Sequence, residues 1–349
     1  MSKKLGIWGS YNHGNYGDDI MALAIADRAK QMGFDVDIFR ISHSVISDLP
    51  YTSQHCVDTL VSECDYLVIG GGAWLNSGDF SDNVEQDCVD FLSALKRHNK
   101  TFISISIGGD NCADIRELSK ARVALFSSEN YLGGTVRLKS DEAMLTKIHK
   151  PVTYCQDIVL GIAEDYRMRL GDSPCGLSKT RIGLNLNRTQ RRFGQLCQII
   201  ARLRGMECVF IKSHLQSHDL GFELNPVSSS GNEFTLTYAN AEDFIHGLSK
   251  LDVLISFKLH LGVTCLGLNV PFISFGGSGK TQAFMNEFGL AKFIYDNSQK
   301  VQLLLCLLFA PKSLLYSFEE EKMTGQKTDA ESHFSFLAHY INDPVAIIE

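Results

Sequence analysis

Short apolar runs rich in β-branched residues recur along this chain, many followed by a stretch of helical periodicity, and the series runs twice. The first series is Leu5–Ser10, Val36–Ile41, Tyr66–Ile69, Phe102–Ile107 and Val123–Ser127, with helices predicted over Asp18–Met32, Asn83–His98 and Asp141–Ile148. After Pro174 the pattern restarts at Ile182–Leu186, Cys208–Ile211, Thr235–Tyr238, Val253–Ser256 and Phe272–Phe275, with helical stretches at Gly194–Arg204 and Ala241–Leu248. Strand, helix, strand at this spacing implies right-handed crossovers in parallel α/β sheets. A chain of 349 residues exceeds one ordinary core, so two domains of roughly 150 residues are expected. The boundaries read as 1–172 and 180–310, joined by the polar Gly/Pro/Ser stretch Leu170–Lys179, with a helical tail over 311–349 packing back on the first domain.

Charge and composition narrow the class. The apolar fraction of 44% and charged fraction of 21% are those of a globular protein, and a net charge of −7 argues against general nucleic-acid binding. None of the ten cysteines forms a Cys-x-x-Cys pair, and Cys208, Cys265 and Cys306 lie inside apolar runs, so reduced buried thiols are expected. Met-Ser-Lys-Lys runs straight into a strand, and the apolar run Leu303–Ala310 is too short to span a bilayer. A cytoplasmic protein is expected, with peripheral contact at the inner membrane surface.

Chemistry concentrates where strands end. Val253–Ser256 is followed by Phe257-Lys258-Leu259-His260 and a short helix to Leu268, which Gly267 to Pro271 ends. A cation and an imidazole then sit at the carboxyl edge of a parallel sheet, beside a helix N-terminus, where phosphate or carboxylate is favoured. Other strands end in Gly9-Ser-Tyr-Asn-His-Gly14-Asn15-Tyr-Gly17-Asp18-Asp19, Gly70-Gly71-Gly72 and Gly108-Gly109-Asp110. Glycines there let backbone surround a ligand, although the first run is not the Gly-x-Gly-x-x-Gly fingerprint. The run Gly276-Gly-Ser-Gly279-Lys280-Thr281 lacks a Walker A glycine, because Ser274 occupies that position. Lys280 remains a candidate anion contact, as do Arg188, Arg191 and Arg192 after the first strand of the second series. No His or carboxylate spacing suits a metal, and no cofactor is expected.

Taken in order, these motifs resemble the polysaccharide pyruvyl transferase family. The matching residues are Asn15-x-Gly17-Asp18-Asp19, Asp65 to Gly72, Ile107-Gly108, Val136-Arg137-x-x-Ser140, Gln156-Asp157, Lys258-x-His260, Gly267 to Pro271, Lys280 and the Phe284–Leu290 stretch. The resemblance implies a GT-B-like α/β fold, two Rossmann-like domains whose parallel sheets face a central cleft. It also implies transfer of a pyruvyl group from phosphoenolpyruvate onto two hydroxyls of a glycan or lipid-linked saccharide, as a ketal, in cell-surface or exopolysaccharide biosynthesis. In that reading His260 is the general acid and Lys258 its catalytic partner, while Asn15, Gly17, Asp18, Gly70, Gly71, Gly72, Gly108, Arg137, Arg188 and Lys280 bind substrate. The family usually has Arg where Lys258 stands, and an acidic residue after Arg137 where this chain has Leu138.

Two further readings share the same sequence. A GT-B nucleotide-sugar glycosyltransferase would place the basic residues on a diphosphate. A non-catalytic binding protein with a decayed site would account for Lys258 and the altered Arg137 motif, though His260 speaks against it.

Overall fold

The protein is described here by a computed structural model covering residues 2–171, 179–218, 221, 223–224, 234–316 and 320–342. Contacts divide it into two compact units: unit 1 holds Met1–Gly14, Asp18–Ile158 and Lys327–Glu349, and unit 2 holds Asn15–Gly17 and Val159–Gln326. Of the expected linker Leu170–Lys179, residues 172–178 lie outside the described residues.

Unit 1 is built on a seven-stranded parallel sheet, among the described residues, in the order β3-β2-β1-β4-β5-β6-β7. Its strands are β1 (Lys4–Trp8), β2 (Asp35–Phe39), β3 (Thr52–Gln54), β4 (Tyr66–Gly70), β5 (Phe102–Ile107), β6 (Tyr131–Val136) and β7 (Val152–Tyr154). The crossovers carry α1 (Tyr16–Gln31, whose first two residues fall in unit 2), α2 (His43–Ile46), α3 (Val57–Glu63), α4 (Asp82–Arg97), α5 (Lys120–Phe126) and α6 (Lys139–Thr146). Strands β1, β4 and β5 are buried on both faces, which is why they read as unbroken apolar runs rather than as alternation. The indole of Trp8 stacks on Phe91 with centroids 4.5 Å apart and on Trp74 at 4.7 Å, joining the sheet to α4 and to the loop after β4.

One expected strand is a helix. Val123–Phe126 lies in α5 and Ser127 is its C-cap, while the helix start is capped by the Ser119 hydroxyl accepting from the Arg122 N–H. The strand follows at Tyr131–Val136 and was masked by Gly133-Gly134. Those glycines are steric requirements of the sheet: a methyl at Gly134 would lie 2.1 Å from the Ser104 carbonyl oxygen. Strand β5 is irregular there, with a register shift and Ser106 at φ 56°.

Unit 2 carries, among the described residues, a six-stranded parallel sheet in the order β10-β9-β8-β11-β12-β13. These are β8 (Arg181–Asn185), β9 (Glu207–Lys212), β10 (Phe234–Thr237), β11 (Val253–Ser256), β12 (Phe272–Phe275) and β13 (Ile294–Tyr295). Its helices are α7 (Ile158–Arg169, from Val159), α8 (Arg191–Leu203), α9 (Ala241–Leu248), α10 (Leu259–Gly267), α11 (Gly279–Glu287) and α12 (Lys300–Phe309). Helix α7 groups with this unit because α10 packs on it: a methyl at Gly267 would lie 2.8 Å from the Leu160 carbonyl oxygen. The last helix, α13 (Glu320–Asn342), gives its residues up to Gln326 to unit 2 and those from Lys327 to unit 1.

The fold is therefore α/β with two Rossmann-like sheets, of the GT-B-like class. Each sheet reverses its strand order once, between β1 and β4 in unit 1 and between β8 and β11 in unit 2. Ligands of such sheets bind outside the carboxyl ends of the strands at the reversal. The described cysteines are free thiols, and burial pushes those of Cys64, Cys88 and Cys155 up to about 12. Among the described residues no helix is long and apolar enough to cross a membrane.

Candidate functional site

At the reversal in unit 2 the carboxyl ends of neighbouring strands are cross-braced by side chains. Ser256, the last residue of β11, donates its hydroxyl to Asn185 Oδ1 at the end of β8 (2.9 Å) and accepts from the Lys258 N–H (2.9 Å). Asn185 in turn donates to the Ile211 carbonyl of β9 (3.0 Å) and to Glu223 (2.7 Å). Gln190, in the single 3-10 turn Arg188–Gln190 after β8, donates to the Phe275 carbonyl at the end of β12 (3.2 Å). Short polar side chains at these strand ends do what strand pairing no longer can, and they hold the edge in one shape.

Lys258 is the N-cap of α10 and His260 its second residue. Both are half-buried, and the first turn of α10 carries no acidic residue to compete for an anion. The His260 carbonyl accepts from the Thr264 hydroxyl (2.7 Å), which also lies 2.8 Å from the Tyr16 hydroxyl. Tyr16 is buried edge-on against Tyr238 and tilted against Phe244. Its N–H donates to the Ser213 carbonyl (2.9 Å), and Asn15 forms an antiparallel bridge with His214. The segment Asn15–Gly17 is thus laid over α10, so closely that a methyl at Gly17 would sit 2.3 Å from His260 Nδ1. The folded chain brings Asn15, Gly17, Lys258 and His260, read separately in the sequence, into one place.

A buried carboxylate stands behind them. Glu223 is 1% exposed and accepts from Asn185 Nδ2, the Ser213 N–H (2.9 Å) and the Ser213 hydroxyl (2.7 Å), with His214 Nδ1 at 3.3 Å. Burial acts to raise its pKa, but His214, Ser213, the nearby charge of Lys258 and Asn185 outweigh it and bring the carboxyl down to about 2. Sequence reading did not find Glu223 or Asn185. Asn185-Leu-Asn187 at a strand end was the available signal, whereas Glu223 sits in a polar stretch without periodicity.

The remaining candidates are placed more loosely. Lys280 is half-buried in the first turn of α11, after the β12 loop in which Gly276 takes φ 69°. Arg188 is exposed, with its guanidinium against Gly221. Arg191 and Arg192 are exposed at the start of α8.

In unit 1 the glycine turns after β4 and β5 are joined to each other. Gly108 N–H donates to the Gly72 carbonyl (3.0 Å), Leu75 N–H to the Gly108 carbonyl (3.0 Å), and Gly71 N–H to the Ile105 carbonyl (2.7 Å). Gly71 and Gly72 take φ 62° and 85°, backbone that favours glycine. Arg122, fully buried, donates to the carbonyls of Trp74, Asn76 and Gly78 and shapes the same loop from beneath. Asp18 is half-buried in the first turn of α1.

Arg137, expected to bind substrate, is 4% exposed and lies 3.7 Å from the Asp157 carboxylate. It donates to the Gly72 carbonyl (3.1 Å) and contacts Met21 Sδ (3.0 Å). A methyl at Gly108 would lie 2.6 Å from its Nε. Arg137 therefore braces the Gly72 and Gly108 turns. Asp157 supplies the countercharge that the sequence motif lacks at Leu138.

His333 of α13 completes this buried cluster. Its Nε2–H donates to the Gln156 carbonyl and its Nδ1 accepts from the Thr135 hydroxyl, both at 2.7 Å, while Thr135 Oγ1 accepts from the Ser106 N–H. Burial, helped by the Arg137 charge, depresses its imidazole to about 4 against the opposing pull of the Gln156 bond and Asp157. No sequence signal marked His333, since its partners lie on other elements far along the chain. Among the described residues no group of three or more His, Cys, Asp or Glu could hold a metal ion.

Comparison with known proteins now bears on this geometry. No family model and no curated protein matches the chain. Solved structures do. The chain is similar to the UDP-GlcNAc 2-epimerase from Neisseria meningitidis bound to UDP-GlcNAc, at 12% identity and TM-score 0.62, covering 97% of this chain and 99% of that one. It is similar to the UDP-GlcNAc 2-epimerase from Methanocaldococcus jannaschii in complex with UDP-GlcNAc and UDP, at 9% identity, TM-score 0.55 and 94% and 98% coverage. It also resembles the glycosyltransferase SnogD from Streptomyces nogalater, at 11% identity, TM-score 0.50 and full coverage of both.

These neighbours establish the fold, and they overturn the expected activity. Phosphoenolpyruvate-dependent pyruvyl transfer is corrected: the similar structures include UDP-GlcNAc 2-epimerases and a glycosyltransferase, and no family model supports a pyruvyl transferase. The fold is one on which nucleotide-sugar enzymes are built.

Proposed function

We propose that this protein is an enzyme acting on a nucleotide sugar, with the nucleotide's diphosphate bound in unit 2 at the reversal between β8 and β11. The observation that carries this reading is the meeting of Lys258, His260 and the N-terminal end of α10 at that strand edge. A diphosphate carries its charge where a lysine and a helix dipole are both favourable, and a point-charge cation suits it without a bidentate fork. Lys258 meets the diphosphate as a point charge, without the bidentate fork that Arg would offer a phosphate or a carboxylate.

The chemistry follows from the groups present. When the bond between the anomeric carbon and the phosphate oxygen breaks, the oxygen keeps the electron pair and the diphosphate gains negative charge. Lys258 and the positive end of α10 stabilise that charge as it develops. His260 supplies or shares a proton at the departing oxygen. Transfer of the sugar to an acceptor hydroxyl is the leading reaction, a glycan or lipid-linked saccharide being the acceptor class. Epimerisation of the bound sugar is the second reading, favoured by the higher TM-scores of the UDP-GlcNAc 2-epimerases than of the glycosyltransferase.

Incubation with a panel of nucleotide sugars, followed by NMR of the products, tests this. Release of nucleoside diphosphate dependent on a saccharide acceptor supports transfer, and a new sugar epimer without acceptor supports epimerisation. Absence of both, with phosphate released from phosphoenolpyruvate instead, would refute the reading.

A further inference from the structure

Unit 2 presents one face that is unlike the rest of the molecule. Leu196, Ile199 and Leu203 of α8 and Val301, Leu305 and Phe309 of α12 are between 45% and 74% exposed. In α8 they recur at i, i+3 and i+7, and in α12 at i, i+4 and i+8, so each set is a single stripe along its helix. The stripe on α8 lies opposite the side buried by Phe193, Cys197 and Ala201, and that on α12 opposite Leu303 and Leu307. The two helices pack against each other, which puts the stripes side by side. Scattered exposed leucines are ordinary, but two adjacent apolar stripes are not. Among the described residues the other large hydrophobics of comparable exposure are Val89, Met168, Leu170 and Phe234, which form no such stripe.

The charges carried by the two helices and the turns that end them have one sign. Residues 191–206 contain Arg191, Arg192, Arg202 and Arg204 and no Asp or Glu, and residues 300–316 contain Lys300 and Lys312 and again no acid. Four arginines and two lysines without a single carboxylate stand out in a chain whose net charge is −7. A soluble partner's apolar patch would match the stripes alone. Apolar stripes on helices whose own charges are all cationic match the boundary of an anionic bilayer, where the side chains enter the acyl region and Lys and Arg meet the headgroup phosphates.

We infer that the outward face of α8 and α12 docks unit 2 on an anionic phospholipid membrane, with Leu203 and Phe309 as its most exposed insertions. The inference stands apart from the proposed catalytic reading, since none of its stripe residues belongs to the candidate site. It gives an enzyme without a membrane-spanning helix among its described residues a means of working at a lipid surface.

Vesicle co-sedimentation of the full chain tests it. Vesicles of equal parts phosphatidylglycerol and phosphatidylcholine should retain the protein, and pure phosphatidylcholine should retain at least ~10-fold less. Raising the salt should release it, because the cations act within a Debye length of the surface. Leu203→Asp and Phe309→Asp, at positions 74% exposed and so tolerant of change, should each abolish retention while leaving the melting temperature in place. Arg204→Glu should weaken it on anionic vesicles only. Equal retention on both vesicle types, or none on either, would overturn the proposal. So would a concentration-dependent dimer that Leu203→Asp dissociates, since the face would then belong to a second copy of the chain.

Discussion

Gly17 lies against His260 so tightly that even a methyl group would come within 2.3 Å of the ring nitrogen Nδ1. The glycine is needed for close approach, since Gly17 is not among the glycines of positive φ. Gly17→Ala is expected to push the imidazole off its position while sparing the fold. Turnover should fall about 10²-fold, the cost of misplacing a reacting group by about an ångström. Steady-state kinetics beside a melting curve checks this, and a variant with unchanged turnover would detach His260 from the chemistry.

His260→Ala removes the proposed proton donor itself. A loss of about 10² to 10⁴ in kcat is expected, with nucleotide affinity little changed because Lys258 and the α10 terminus remain. Kinetics and equilibrium titration on the same preparation separate the two effects. A pure affinity loss would make His260 a binding group.

Glu223 should govern stability in acid. Its carboxyl is held at about 2, below the ordinary value of 4.5, so its contribution is complete above pH about 4.5 and disappears as pH falls towards 2. The shift corresponds to about 3 kcal/mol. Glu223→Ala also strands the buried donors of Asn185 and Ser213, each costing about 1–3 kcal/mol, so a marked fall in melting temperature is expected. Melting curves between pH 2 and 7 decide it. A Glu223→Ala protein as stable as the parent at neutral pH would show the network to be dispensable.

His333 sets a second, milder window. Its folded value of about 4 lies below the ordinary 6.5, so the unfolded chain binds the proton first and stability falls as pH drops from about 6.5 towards 4. The accumulated loss is about 3 kcal/mol. In His333→Gln that slope should flatten, while stability at pH 8 falls through imperfect bonds to Thr135 and Gln156. An unchanged slope would assign the titration to another group.

Much of this was legible in the sequence, and the gaps have physical causes. Parallel strands buried on both faces announce themselves as apolar runs, so the central strands of both sheets and the Lys258-x-His260 turn could be read directly, whereas the edge strands β3, β7 and β13, only two or three residues long, could not. Strand β6 could not, because Gly133 and Gly134 answer to the irregularity in β5 rather than to strand propensity. Arg137 looked like an anion clamp because its countercharge, Asp157, comes from a later segment. The contact between Gly17 and His260 was invisible for the same reason: it joins positions far apart in the chain. The expected donor failed differently. The ordered motifs describe an anion site on this fold, and an anion site by itself does not distinguish phosphoenolpyruvate from a nucleoside diphosphate.

The most direct test is an equilibrium titration of the wild-type protein and Lys258→Ala with UDP-GlcNAc and, in parallel, with phosphoenolpyruvate. The account predicts saturable binding of the nucleotide sugar, weakened roughly 10- to 150-fold in Lys258→Ala by loss of a charge-assisted contact, and no saturable binding of phosphoenolpyruvate. Binding of phosphoenolpyruvate alone, or nucleotide-sugar affinity indifferent to Lys258, would contradict it.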